Sequence, residues 1–221
     1  MRAILTLGCC VALSLWALGA SAQELEQSSR PRRFEVGSSS GYSSAGFGHA
    51  LAGEGFDSLW AIPLTVDLDY RFGKHWSAGV YGELAFIDNS NPDVEDVDET
   101  IKGQHFRLGV EALYHSALER KVQPWFGVGL GYDALRATYR ERSTYLPIGA
   151  VDTGDPDRSI RASGFELGHV QLGIDFVLVP GFAFGPFLGA SVVAYGARRG
   201  FRSADDFNVW SNIGLKAAFH L

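Results

Sequence analysis

Trp60-Ala-Ile62-Pro-Leu64-Thr-Val66-Asp-Leu68-Asp-Tyr70-Arg-Phe72 is apolar at every even position, whereas the odd positions hold Ala61, Pro63, Thr65, Asp67, Asp69 and Arg71. After Gly73-Lys74 the pattern resumes in Trp76-Ser-Ala78-Gly-Val80-Tyr-Gly82-Glu-Leu84-Ala-Phe86, with Ser77, Tyr81 and Glu83 opposite the apolar row. A period of two is the signature of a strand with one greasy and one polar face. Two such runs around a tight turn form an antiparallel hairpin.

Each arm exceeds the ~5–6 residues of a soluble strand and reaches the ~9–11 that cross a bilayer. Aromatic residues bracket the apolar row: Trp60 and Phe86 at one end, Tyr70, Phe72 and Trp76 at the other. Rings so placed settle at the two membrane–water interfaces, so the row is read as lipid-facing.

Outward from this hairpin the same pattern recurs. Phe34 to Tyr42 alternates weakly, and Ser43 to Asp57, rich in Gly, Ser and Ala, reads as a loop. Further strands are expected at Phe106–Tyr114, Val122–Ala134, about Ser163–Leu178, Phe182–Val192 and Val209–Leu221. The connections near residues 73, 118 and 180 are short, and those near 50, 95, 150 and 202 are long. That asymmetry predicts an all-β, eight-stranded, antiparallel up-and-down transmembrane β-barrel over residues 33–221, with short turns on the periplasmic side and long loops outside. Pro63 removes one ladder hydrogen bond, so a β-bulge is expected beside it.

Residues 1–22 have a basic start, an apolar middle and an Ala20-Ser21-Ala22 finish, which predicts a cleaved signal peptide; a retained membrane helix is the alternative. Residues 23–32 form a polar periplasmic lead-in. Cys9 and Cys10 leave with the signal, so the mature chain has neither disulfides nor thiolate metal sites. No later apolar run approaches the ~18 residues of a spanning helix, which leaves a closed barrel as the one way into a membrane. A formal net charge of -6 argues against a nucleic-acid partner.

A lipocalin-like soluble barrel has the same period with its apolar side turned inward. The aromatic rows, the alternating loop lengths and a polar row interrupted by Gly127, Gly129, Gly131, Gly185 and Gly189 favour the membrane. Those glycines would make a bare exterior, but they leave room in a narrow lumen shared with Trp125 and Phe187. The runs Pro124-Trp-Phe-Gly-Val-Gly-Leu-Gly-Tyr132, Gly185-Pro-Phe-Leu-Gly-Ala190 and Asn212-Ile-Gly214-Leu-Lys-Ala-Ala-Phe219 resemble the OmpA-like family of small, porin-like outer-membrane β-barrels. The resemblance implies residence in the bacterial outer membrane. It also implies a terminal assembly signal, here Gly214, Phe219 and the final Leu221, read by the barrel-assembly machinery.

Asp67, Asp69, Glu83, Arg107, Glu111, Asp133, His169, Asp175 and Lys216 fall on the polar rows. An eight-stranded lumen is about filled by side chains, and buried charges there must pair. The expectation is a lumen ion-pair network of Asp67, Glu83, Arg107, Glu111, Asp175 and Lys216, with Glu83 beside Arg107 and Lys216 near Asp67, Glu111 or Asp175. Trp60, Tyr70, Phe72, Trp76, Phe86 and Phe219 are the interface aromatics. Arg136, Arg140, Arg142, Arg198, Arg199 and Arg202 are expected at the outer rim, against outer-membrane lipids and lipopolysaccharide phosphates, which guanidinium suits. The acidic run Asp88 to Glu99 lacks the spacing and turn glycine of a calcium loop, so no metal and no cofactor is expected. The function that follows is a monomeric barrel with a structural or surface-interaction role. A narrow pore or carrier of small hydrophobic molecules is one alternative, and an outer-leaflet lipid A-modifying enzyme is another. No catalytic residues are named, because the adjacent His115-Ser116 sits at the periplasmic end and His169 has no serine partner.

Overall fold

The computed structural model describes residues 33–47, 59–91, 97–116, 120–143, 158–199 and 207–221. The signal peptide and lead-in of residues 1–32 lie outside the described residues. Eight strands make one closed barrel in chain order: β1 (Phe34–Phe47), β2 (Leu59–Arg71), β3 (Trp76–Asn91), β4 (Val97–His115), β5 (Val122–Ser143), β6 (Arg158–Val179), β7 (Phe182–Arg199) and β8 (Phe207–His220). Every neighbour is antiparallel, and β1 closes on β8 from Glu35–His220 to Phe47–Val209. Closure leaves no unpaired sheet edge, the condition for strands to cross hydrocarbon.

The side chains alternate as the period demands. Val80, Val110, Leu130 and Leu215 stand on the exterior, each about half-exposed, while Asp67, Glu83, Arg107 and Lys216 are buried inside. Aromatic residues ring both ends of the exterior: Phe34 packs on Tyr70, Trp76 on Tyr114 and Phe182 on Phe219 at the periplasmic level, Tyr42 on Trp60 and Tyr132 on Phe165 at the outer level. Phe72 is exposed beside the β2–β3 turn, and Phe86 pairs with Ile62 at the outer level. Between β6 and β7 the Pro180-Gly181 turn relies on Gly181 at φ 93°, a left-handed conformation that glycine adopts without strain.

Four expectations are corrected. The strands run further outward than the alternation showed: β1 continues to Phe47, β5 to Ser143, β6 begins at Arg158, and β3 and β4 enclose only residues 92–96 between them. Loop composition near the outer ends hid strand that barrel closure imposes. Second, Pro63 carries no bulge. The β1–β2 register is the same on both sides of it, Ser40–Leu64 and Ser43–Ala61, with the pairs between them missing from the ladder. The Ser40 hydroxyl instead donates to the Pro63 carbonyl at 2.8 Å. Third, the register shifts lie in β6 and β7 and at the outer end of β1, between Ala45 and Phe47: an extra residue around Gly168 reverses which parity of β6 faces inward, so Ile160, Ala162, Gly164 and Glu166 are buried above it while His169 and Asp175 are buried below. Fourth, the outer half of the lumen is apolar, as described next.

Candidate functional site

Three layers fill the lumen. Midway, Arg107 on β4 faces Glu83 on β3 and Asp133 on β5, since these residues are directly opposite one another in register. Its Nη1 lies 3.6 Å from Glu83 Oε1 and 3.6 Å from Glu166 Oε1, and its Nε donates to Asp133 Oδ2 at 3.3 Å. Thr65 donates to Glu83 Oε2 at 3.2 Å, His105 Nε2 sits 2.5 Å from Asp133 Oδ2, and the Tyr81 hydroxyl donates to Glu166. His169 links this layer to Glu111, 3.7 Å away. Glycines make the sockets: a Cβ at Gly129 would overlap the His169 ring, and one at Gly109 the Tyr81 ring.

Toward the periplasm, Lys216 Nζ lies 3.1 Å from Asp67 Oδ2 and 3.9 Å from Glu35 Oε1, over the Trp125 ring at 5.2 Å. Glu35 also meets Arg71 and His220, each at 3.2 Å. Asp175 is not within ion-pair distance of Lys216; it accepts the Trp125 indole N–H at 3.0 Å. Leu113 and Phe187 pack with Trp125. Beyond lies the periplasmic mouth, a cavity of about 1670 Å³ lined by Arg33, Arg71, Lys74, Arg120, Lys121 and His220.

Toward the outside, Ala61, Ala85, Ile87, Ile101, Leu135, Ile160, Val193, Tyr195 and Trp210 form one buried cluster inside the barrel. Trp210 is fully buried, stacked on His105 with ring centroids 4.5 Å apart. These lumen residues were missed because the polarity inverts here: Asp88, Lys102, Arg136 and Arg161 point outward while the apolar residues beside them point inward, the reverse of the lipid-facing pattern below. Glu166 was missed for another reason: the β6 bulge shifts it onto the inner face. A two-residue count carried down from Ile160, Ala162 and Gly164 would have found it.

On the exterior, Arg136 on β5 is directly opposite Arg161 on β6, which is directly opposite Arg199 on β7. Gln104 of β4 continues the row, and Lys102 stands two register pairs further out, 3.3 Å from Asp88. All four row residues are exposed. Arg140 is exposed further along β5; for Arg142 and Arg198 only the backbone is described, and Arg202 lies outside the described residues. Below Arg136 the outward face of β5 is Val122, Pro124, Phe126, Val128, Leu130, Tyr132 and Ala134. At ~3.3 Å per residue and ~40° tilt, that run covers about 30 Å of barrel height, enough for an apolar band of ~25 Å, so Arg136 emerges at headgroup level.

At the other end of the chain, Gly214 of the proposed assembly signal admits the Phe187 ring and lies against Ser40 of β1, while Phe219 pairs with Phe182. Leu221 closes the strand seam by backbone bonds to Phe34.

Neisserial surface protein A superposes with a TM-score of 0.54 at 12% identity, covering 85% of this chain and 97% of that one. OprG from Pseudomonas aeruginosa (TM-score 0.42, 13% identity, 86% and 98% coverage) and the outer membrane enzyme PagL (0.38, 13%, 85% and 99%) are more distant. No curated protein matches the sequence. The family model for the outer membrane protein beta-barrel domain matches residues 10–217, and the chain accordingly belongs to that family and to the bacterial outer membrane.

Proposed function

We propose that this barrel is a structural element of the outer membrane that grips the outer leaflet through its wall and passes no solute through its lumen. The observation that carries the reading is the exterior row Arg136–Arg161–Arg199. Like charges directly opposite across strands are destabilising, and no carboxylate pairs with Arg136 or Arg161 among the described residues. Guanidinium groups side by side at headgroup height suit the phosphates of a lipopolysaccharide, each phosphate accepting paired N–H donors. Of the arginines expected at the outer rim, Arg136 and Arg199 stand in this row, and Arg161 joins them by register, which supports such contacts along the wall.

The pore alternative loses support from the filled lumen, where an ionic layer and an apolar layer lie in series. The enzyme alternative lacks its parts: among the described residues no histidine ring nitrogen pairs with a serine hydroxyl, and His105, His115 and His169 are buried in the lumen. The test is co-purification and native mass spectrometry of the barrel with lipopolysaccharide. Wild type should retain the glycolipid, and Arg136→Ser/Arg161→Ser/Arg199→Ser should lose at least tenfold in occupancy while folding normally. Equal retention by the triple variant would refute the reading.

A further inference from the structure

Glu35 of β1 is directly opposite Asp69 of β2, and Asp67 lies two residues along the same inner face. The three carboxylates are buried, and a ligand oxygen from each comes within 4.8 Å of the others. Glycines allow the approach: a Cβ at Gly37 would overlap the Asp67 carboxylate, and one at Gly79 would overlap that of Asp69.

Their cations are unevenly shared. Lys216 serves Asp67 and Glu35, and Arg71 serves Glu35. Asp69 is 1% exposed, and neither of its oxygens accepts a hydrogen bond from the described residues. Glu35 Oε1 and Asp67 Oδ2 likewise accept no hydrogen bond beyond their Lys216 ion pairs. Nearby, Glu111 stands on the same register row, two strands across Gly79. A buried carboxylate with no donor is a large cost, so Asp69 needs either a cation beside it or a proton on it.

We propose that Glu35, Asp67 and Asp69 bind one hard divalent cation inside the barrel, calcium in preference to magnesium, entering from the periplasmic mouth. Carboxylate oxygens are the ligands such ions take. A point central to three atoms at most 4.8 Å apart is no more than about 2.8 Å from each, which admits calcium at its ~2.3–2.6 Å; magnesium sheds its waters reluctantly and usually binds through one or two carboxylates, so three buried carboxylates suit calcium better. Arg71 and His220 line the mouth cavity and also touch Glu35, so the site sits directly behind that cavity. The ion balances Asp69, while Asp67 and Glu35 keep the cations they already meet. The site differs from Asp88 on β3 and Asp98 and Glu99 on β4, which stand at the opposite end of the barrel, and it is independent of the arginine wall.

The test is isothermal titration of CaCl₂ and MgCl₂ into EDTA-stripped barrel, refolded and checked by heat-modifiable gel mobility. Three variants run beside it: Asp69→Asn, Glu35→Gln, and a loop variant with Asp93, Glu95, Asp96 and Asp98 all neutralised. Wild type should bind one calcium per barrel and magnesium at least tenfold more weakly. Asp69→Asn or Glu35→Gln, whichever folds, should weaken calcium at least tenfold, and the loop variant should bind as wild type. No calcium binding by wild type, which a proton held on Asp69 would produce, overturns the proposal. So does binding unaffected by both lumen variants, or binding lost with the loop charges.

Discussion

Replacing Arg107 by methionine removes the one permanent cation of the central layer while keeping most of the side-chain volume. Arg107 is 3% exposed and has carboxylate oxygens at 3.3, 3.6 and 3.6 Å. At an effective dielectric of about 20, each such contact is worth roughly 5 kcal/mol before desolvation. Desolvation of the ions and repulsion among the three acids consume most of that sum, and breaking a buried pair leaves a net loss of about 3–5 kcal/mol. That is roughly two to almost four decades in the folding constant. The assay is urea unfolding of barrel refolded into lipid vesicles, read by Trp fluorescence and gel mobility. A triple variant, Arg107→Met with Glu83→Gln and Glu166→Gln, should recover much of the loss, because fewer uncompensated charges remain. The reasoning fails if Arg107→Met unfolds within about 1 kcal/mol of wild type, or if the triple variant is no more stable than the single one.

Trp210→Ala leaves a void in the apolar outer layer and strips the ring from His105; it should cost about 3–5 kcal/mol in the same urea assay. Gly185→Ala should sharply reduce refolding yield on gels, since its Cβ would overlap the Ile174 carbonyl across the β6–β7 ladder. Gly82→Ala should refold normally, because its Cβ meets nothing nearer than Leu108 Cδ1 at 3.9 Å on the lipid face.

Where one strand face is polar and the other apolar, the sequence was enough. Glu83 and Arg107 could be placed on one side of β3 and β4 from parity alone, and the barrel sets them opposite each other. Connection lengths supplied the up-and-down order. Legibility failed where the polarity inverts, at Ile87, Ile101 and Leu135, because there the apolar residues point inward and Asp88, Lys102 and Arg136 point outward, so a rule that sets apolar residues against lipid assigns the wrong face. It failed again at Glu166, where one inserted residue reverses parity, and at Arg161, whose partners Arg136 and Arg199 come from strands that only register brings alongside. Pro63 was over-read: a proline costs a ladder bond, but a serine hydroxyl can restore a partner to its carbonyl without any insertion.

That no solute passes through the lumen depends on the Arg107 layer and the Trp210 layer closing it in series. Single-channel recording of the refolded wild-type chain in planar bilayers measures this directly. A closed lumen predicts a flat baseline with no stable conducting level, whereas large, long-lived openings from the folded wild type would contradict it.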